Sequence, residues 1–288
     1  MPKLADIIPP DKRGYADSSI FVTTEWLAEH MDDPNVQIVD CDLPELYEKG
    51  HIPGSVNPID HYYKTSLEDR RHIQGPEQFA ETFRDLGISD DTLVVGYDRS
   101  GSLYPFRLAW SLHYYRHLNV KVLDGGFQKW EAEGRATTTE KPVVTKGTFS
   151  VRQPDKSIFA SRDDVLKTIK SKDSIILDVR TPEERDGSNK RGGKRGGYIP
   201  GSVHMEWINF HTGDEIPVIK TAAELRALLA KLGITEGSSV ITYCQGGIRA
   251  AHAYWILKLL GFKKVRDYDA SWREWGSDLS CPIEGLDA

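Results

Sequence analysis

Cys244 stands in a short loop whose composition suits a thiolate nucleophile. The loop consists of Cys244, Gln245, Gly246, Gly247, Ile248 and Arg249. A β-branched apolar run precedes it and a helical pattern follows it, so the loop joins a predicted buried strand to a helix. Paired glycines let the backbone direct several N–H groups toward one centre, and the helix adds the positive end of its dipole. A thiol placed there is expected to ionise readily and to attack as a thiolate near neutral pH.

A buried structural cysteine in an ordinary glycine-rich turn is the plainer explanation of Cys244, because a free cysteine is often buried. The order strand, cysteine, paired glycines, arginine and helix favours the nucleophile instead, since ligands of open α/β sheets bind beyond the carboxyl ends of the strands. The same ring of N–H donors would stabilise an additional negatively charged sulfur or oxygen atom.

The spacing of the loop separates two thiolate chemistries. Cysteine-dependent phosphatases carry Cys-x5-Arg, whereas Cys244 and Arg249 form the shorter Cys-x4-Arg. The smaller ring suits a single bound sulfur atom better than a tetrahedral oxyanion. The sequence therefore favours sulfur chemistry and leaves a phosphatase or arsenate reductase as the weaker alternative.

One internal repeat supplies the elements that position this loop. Four blocks of the first half recur in the same order in the second half. Their first residues pair as Ile38 with Ile176, His51 with Tyr198, Leu86 with Leu232 and Asp124 with Asp269. The shift is 138 positions at Asp40 and 147 at Pro53, so the second half gains nine residues in the glycine-rich stretch 187–197. In this register Asp98 stands opposite Cys244, so only the second half has a thiol at this position.

Each half alternates short apolar runs with helical patterns, which indicates an α/β fold with a parallel sheet flanked by helices. In the second half, buried strands are predicted at 175–179 and 239–243, and helices at 222–232 and 250–260. A polar segment separates the halves.

The repeat also sets the expected domain boundaries. We expect a catalytically inactive first domain over residues 1–140, a linker over 141–152 and a catalytic domain over 153–288. Such a division gives each half a length that one hydrophobic core can serve.

Composition argues against several function classes. A net charge of −6 is unlike a general nucleic-acid binder, and no apolar run approaches the roughly 18 residues of a membrane span. The three cysteines form no CxxC pair, and the nine histidines show no metal-ligand spacing. We expect no metal and no cofactor, and a reducing, cytoplasmic setting or an organellar matrix. The first residues also lack the apolar core of a secretory signal.

The chain resembles the two-domain rhodaneses, the thiosulfate/3-mercaptopyruvate sulfurtransferase family, over nearly its whole length. Tyr47-x3-His51-Ile52-Pro53-Gly54 is similar to the N-terminal signature of that family. Val265-x2-Tyr268-Asp269-Ala270-Ser271-Trp272-x2-Trp275 is similar to its C-terminal signature, with Ala270 where glycine is usual. The resemblance implies two tandem rhodanese-like domains, with the active loop at 244–249 and no catalytic cysteine in the first domain.

The resemblance also implies a ping-pong reaction. Cys244 would take the outer sulfur of a small anionic donor as a persulfide and pass it to a thiophilic acceptor such as cyanide or a thiol. Loop residues 245–249 and Arg185 would bind the substrate, and Asp178 would orient an arginine or loop amides. A different class of function, a persulfide carrier that delivers sulfur to a partner protein, needs the same loop.

The expected sulfur donor depends on the charge of Arg249. Mercaptopyruvate enzymes of the family tend to have a neutral loop that ends in threonine, whereas thiosulfate enzymes tend to carry a cation. A guanidinium at the end of the loop favours a sulfonate-type dianion through charge-assisted hydrogen bonds. We therefore expect thiosulfate, with 3-mercaptopyruvate as the alternative. The basic insertion 190–197 is expected to be a mobile, solvated loop, with a role in steering anions as the alternative.

Overall fold

The computed structural model describes residues 4–58 and 73–287, and the predicted domain ends at residues 1 and 288 lie outside them. The described residues form two compact units. The first takes residues up to 58, 74–155 and 211–220, and the second takes residues 73, 156–210 and 221–287. Among the described residues, no helix is both long and apolar enough to cross a membrane.

The first unit is built on a four-stranded parallel sheet with the strand order β1-β4-β3-β2. Its strands are β1 (Phe21–Val22), β2 (Val36–Asp40), β3 (Leu93–Tyr97) and β4 (Val120–Leu123). Its helices are α1 (Thr24–His30), α2 (Pro44–Tyr47), α3 (Pro76–Asp85), α4 (Leu103–Tyr114) and α5 (Gly126–Ala132), with short 3₁₀ helices at Leu4–Asp6 and Pro10–Lys12. Helices cover parallel sheets on both faces, which is why Val94, Val95 and Tyr97 of β3 are all completely buried.

The second unit repeats this plan with the strand order β6-β5-β7-β8, again all parallel. Its strands are β5 (Ile175–Asp178), β6 (Val203–His204), β7 (Val240–Tyr243) and β8 (Val265–Asp267). Its helices are α6 (Arg162–Ser171), α7 (Pro182–Asp186), α8 (Ala222–Ala230), α9 (Ile248–Leu259) and α10 (Ser271–Trp275), with a 3₁₀ helix at Trp207–Phe210. The two parallel sheets with flanking helices confirm the predicted α/β fold class.

The buried core of the second unit fixes β7 relative to α10. Ile241 and Tyr243 of β7 pack in one cluster with Tyr268, Trp272 and Trp275. Because an aromatic side chain removes a large apolar area from water, this cluster holds the end of β7 that leads into the Cys244 loop.

Helix α9 begins two residues earlier than predicted. Gly247 has a φ of 81°, in the left-handed region that glycine adopts without strain, and it serves as the residue before the helix. The chain therefore turns directly from the loop into the helix, and Ile248 and Arg249 belong to its first turn.

The segment predicted as the linker, 141–152, lies in the first unit. Phe149 is completely buried, with its ring centroid 5.3 Å from that of Phe83. Its carbonyl oxygen accepts a hydrogen bond from the guanidinium of Arg84 at 2.8 Å. One aromatic residue in a polar stretch thus ties the segment to α3.

The basic insertion 190–197 is anchored by Arg195, which differs from the mobile loop expected from its glycines. The Arg195 guanidinium donates hydrogen bonds of 2.5–3.2 Å to four backbone carbonyl oxygens, those of Trp275, Gly276, Asp278 and Cys281. The last carbonyl groups of a helix lack partners within the helix, and a cation there also complements the helix dipole.

Replacing Arg195 by glutamine should lower the free energy of unfolding by about 2–3 kcal/mol, because several carbonyl oxygens lose a charged donor. Urea denaturation at constant pH measures the change. The matched control is Lys194→Gln, which removes the same charge from an exposed side chain of the same loop and should cost less than about 0.5 kcal/mol. Equal stabilities of the two variants would contradict the anchoring role of Arg195.

Candidate active site

Cys244 follows β7 directly and stands before α9, at the carboxyl end of a central strand of the sheet. Only 1% of the residue is exposed. The first N–H groups of a helix have no partner within the helix, and they carry the positive end of its dipole. The thiol of Cys244 therefore stands in the loop that leads into these N–H groups.

The hydroxyl of Ser271 holds the loop. Its oxygen accepts hydrogen bonds from the backbone N–H groups of Cys244 at 3.0 Å and Gly247 at 3.2 Å. Its proton reaches either the carbonyl oxygen of Tyr268 at 2.7 Å or Sγ of Cys244 at 4.0 Å. Ser271 thus links the loop backbone to the sulfur.

Ser271 is a site residue that sequence reasoning missed, because it stood out only as part of a signature. Its φ of 53° lies in the left-handed region, which costs a residue with a side chain on the order of 1 kcal/mol. The equivalent residue of the first unit is Gly126, with a φ of 57°. That glycine was the available signal of an unusual backbone at this position.

Asp178 ends β5, the strand beside β7, and is completely buried. Its carboxylate accepts hydrogen bonds from Arg180 at 2.8 and 3.0 Å, from Arg185 at 3.1 Å and from the hydroxyl of Tyr243 at 2.6 Å. Burial alone would raise the pKa of Asp178, but the charge and hydrogen bonds of Arg180, with Tyr243, outweigh it and hold the pKa below its usual value. Asp178 is therefore a fixed anion between two arginines.

Arg185 is held on several sides. Its guanidinium donates to Oγ of Ser202 at 2.9 Å and to the carbonyl oxygen of Ser202 at 2.7 Å. It also lies 3.8 Å above the centroid of the Tyr198 ring, a cation–π geometry. Together with Asp178, these contacts orient the cation.

Arg249 forms a bidentate ion pair with Glu184, at 2.6 and 2.8 Å. Glu184 lies in the first turn of α7 and is only 2% exposed. Burial would lower the pKa of Arg249, but its hydrogen bonds with Glu184 and the negative charge of Cys244 raise it above its usual value. The pair keeps a cation in the first turn of α9, the helix that follows the Cys244 loop.

Glu184 and Arg180 are two further residues that sequence reasoning missed. The pattern Thr181-x-x-Glu184 is a capping box, and it predicts only the start of a helix. Arg180 follows a strand in a charged loop, where a solvated side chain is the ordinary expectation. Their roles emerge only when α7 is placed against α9.

The equivalent loop of the first unit holds a carboxylate where the second holds a thiol. Asp98 follows β3 and is completely buried, and its oxygens accept hydrogen bonds from the backbone N–H groups of Ser102 at 2.9 Å and Tyr104 at 3.0 Å. Burial raises the pKa of Asp98 to about 7, and the neighbouring Asp42 carboxylate adds to the shift. Backbone donors at the start of α4 therefore seat the side chain of Asp98 in this loop.

The arrangement brings the predicted residues to the same end of the second sheet as the buried thiol. Cys244 ends the strand, residues 245–248 carry the loop backbone, and Arg249 lies in the first turn of α9. Asp178 and Arg185 lie on the neighbouring strand and helix. In the part of the chain that the structure describes, no cluster of three or more His, Cys, Asp or Glu residues could hold a metal ion.

A family model described as "Rhodanese-like domain" matches the chain twice, over residues 23–133 and 161–278. The chain therefore belongs to the rhodanese family, and the resemblance seen in its signatures is confirmed. The first match contains β2, β3 and β4, and the second contains all four strands of the second sheet.

Relatives of similar length accompany this match. "Sulfur carrier protein TtuD" of Thermus thermophilus is 38% identical, over 94% of this chain and 98% of the relative. "Putative thiosulfate sulfurtransferase SseA" of Mycobacterium tuberculosis is 38% identical, over 95% of this chain and 93% of the relative. The solved structure of the anaerobic ergothioneine biosynthesis enzyme from Chlorobium limicola superimposes with a TM-score of 0.83 at 24% identity, over 94% of this chain and 72% of that one. At that identity the structure shows a shared fold.

Ser271→Gly should slow alkylation of Cys244 by iodoacetamide about tenfold, because the sulfur and its loop lose one hydroxyl contact worth roughly 1.4 kcal/mol. The backbone should persist, since Gly126 adopts nearly the same φ in the first unit. Mass spectrometry of the Cys244 peptide over time measures the rate. Ser280→Gly, at an exposed serine, is the control and should react at the wild-type rate. Equal rates in both variants would show that the Ser271 hydroxyl does not act on the sulfur.

Asp98 should make the first unit less stable as the pH rises from 5 to 8. Its folded-state pKa of about 7 lies above the ordinary value of 3.8, so the folded chain binds this proton more tightly than the unfolded chain. The stability from this proton is complete below about pH 4 and disappears as the pH rises through 7, at up to about 1.4 kcal/mol per pH unit. Asp98→Asn should flatten the pH dependence of unfolding in this range. An unaltered slope in the variant would rule out the raised pKa.

Proposed function

We propose that this rhodanese-family protein is a sulfurtransferase that moves sulfane sulfur from thiosulfate to a thiophilic acceptor through a persulfide on Cys244. The observation that carries the proposal is the position of a buried thiol at the end of β7 and the start of α9. The first unit supports it, because the Asp98 carboxylate is bound by backbone N–H groups in the equivalent loop. A side chain that accepts hydrogen bonds from the backbone thus occupies this loop in the first unit, as a persulfide on Cys244 would in the second.

The reaction divides one transfer into two displacements. The Cys244 thiolate attacks the outer sulfur of thiosulfate, a new S–S bond forms, and sulfite leaves with the electron pair of the old one. The acceptor then attacks the terminal sulfur of the persulfide, and the thiolate is regenerated. In this proposal the backbone N–H groups of Gln245, Gly246 and Ile248 stabilise the charge on sulfur in both steps.

The charge around Cys244 supports an anionic donor. Four guanidinium groups share two carboxylates, and the members are Arg180, Arg185, Arg191 and Arg249 with Asp178 and Glu184. With the Cys244 thiolate included, one positive charge remains in excess, and it favours a dianion such as thiosulfate over a less charged donor such as 3-mercaptopyruvate. Arg185 and Arg249 are the substrate-binding cations in this proposal, and Asp178 keeps Arg185 in place.

A persulfide carrier is the second candidate function, and it is favoured by the relative named as a sulfur carrier protein. It uses the same persulfide, but the acceptor is a cysteine of a partner protein. The deep burial of Cys244 favours small donors and acceptors, which is why the enzyme is proposed first. The cytoplasmic setting stays a prediction from the cysteine content.

Treatment with thiosulfate should add one sulfur atom to the wild-type protein, and Cys244→Ser should gain none. Intact-mass measurement after removal of excess donor detects the gain. Cys281→Ser is the matched control, because it removes another buried thiol of the same unit and should still gain the sulfur. Cyanide should then release the sulfur as thiocyanate and restore the original mass.

Three outcomes would count against the proposal. Sulfur uptake by Cys244→Ser would assign the persulfide to another thiol. Sulfur uptake from 3-mercaptopyruvate but not from thiosulfate would make 3-mercaptopyruvate the donor instead of thiosulfate. A persulfide that reacts with neither cyanide nor small thiols, but passes its outer sulfur to a protein thiol, would favour the carrier function.

A further inference from the structure

We propose that Glu184 is a specificity-determining residue. Its ion pair with Arg249, the arginine at the end of the Cys244 loop, weakens the binding of doubly charged donors. This inference rests on the proposed function, since it concerns how that site discriminates among anionic donors. Glu184 acts through Arg249 and is therefore a positioning residue.

The geometry shows why the pair competes with a donor. Arg249 uses both terminal nitrogens on Glu184, at 2.6 and 2.8 Å, and this two-pronged arrangement is the one that it would offer to a sulfonate group. A bound dianion must share the guanidinium with a buried carboxylate or displace it. Either route weakens the binding of an anion.

Glu184 cannot easily turn away from Arg249. Its carboxylate also accepts a hydrogen bond from the backbone N–H of Thr181 at 3.0 Å, and its own N–H donates to the Thr181 hydroxyl at 3.3 Å. This capping box fixes the side chain at the start of α7. The competition is therefore a permanent property of the site.

The basic insertion adds a second cation to the same carboxylate. Nε of Arg191 lies 3.8 Å from Glu184, and the Arg191 side chain is 54% exposed. Arg191 comes from the stretch that the second half gained relative to the first. Because the positive charge of Arg191 offsets part of the negative charge of Glu184, Arg191 weakens the ion pair between Glu184 and Arg249.

The first unit provides an internal comparison. Helices α2 and α7 occupy equivalent places in the repeat, and Leu46 stands where Glu184 stands in the second unit. The carboxylate thus occurs in the half that carries the thiol and is replaced by an apolar residue in the half that carries Asp98. This pattern ties Glu184 to the chemistry of the loop rather than to the fold.

The test measures anion binding without sulfur transfer, in a Cys244→Ser background that cannot form the persulfide. Thiosulfate and methanethiosulfonate are titrated calorimetrically at constant ionic strength, because they present similar sulfur groups with two charges and one charge. Adding Glu184→Gln should tighten thiosulfate about tenfold and methanethiosulfonate only about threefold, since the repulsion removed scales with ligand charge. Glutamine retains an oxygen for the Thr181 N–H.

Glu183→Gln is the matched control, because it removes one charge from the exposed neighbouring residue of α7 and should change either affinity less than twofold. A merely structural role for Glu184 predicts weaker binding in its variant, so a gain in affinity separates the two explanations. Equal gains for both ligands, no gain, absence of measurable binding, or the same gain in Glu183→Gln would overturn the inference.

Arg191→Gln tests the idea with the opposite sign and without altering the capping box. It should weaken thiosulfate binding two- to threefold, because Arg191 no longer offsets the charge of Glu184 and the ion pair with Arg249 becomes stronger. An unchanged affinity would also overturn the inference. The proposed function fails separately, when wild-type protein takes up no sulfur, because binding to Cys244→Ser is independent of that step.

Discussion

The backbone N–H groups of the loop that follows a central parallel strand need hydrogen-bond acceptors, and each unit supplies one from a side chain. In the first unit the N–H groups of Ser102 and Tyr104 bind the carboxylate of Asp98. In the second unit the equivalent loop carries Cys244, and the hydroxyl of Ser271 holds its backbone. The rest of the site follows from placing a reactive sulfur on this scaffold.

The charged side chains of the site are held by ion pairs with one another, so they do not depend on a substrate for their positions. Asp178 orients Arg180 and Arg185, and Glu184 orients Arg249. Such preorganisation allows a site to stabilise a developing charge without rearrangement during the reaction. It also has a consequence for affinity, because an arginine that is already paired binds an incoming anion less strongly than a free one.

The two halves differ in charge at equivalent positions. In the first unit Asp42 forms an ion pair with Arg99 at 2.6 Å, whereas Arg180 stands at the position of Asp42 in the second unit and pairs with Asp178. One scaffold thus supports a carboxylate cluster in one copy and an arginine cluster in the other. The arginine cluster is the environment in which we propose that an anionic donor meets the thiol.

The sequence by itself determined the duplication, the parallel α/β fold and Cys244 as the candidate nucleophile, because repeats, apolar periodicity and a strand–Cys–Gly-Gly–helix order are local patterns. Arg249 and Asp178 were also recognisable, since one follows the loop at a fixed spacing and the other ends a strand. The tertiary structure alone decided that Arg249 is paired with Glu184 and that Ser271 contacts the loop, since these partners are 65 and 27 positions apart. Arg195 likewise contacts carbonyl groups 80–86 positions away. Distances across so many residues depend on how strands and helices pack, and no spacing along the chain encodes them.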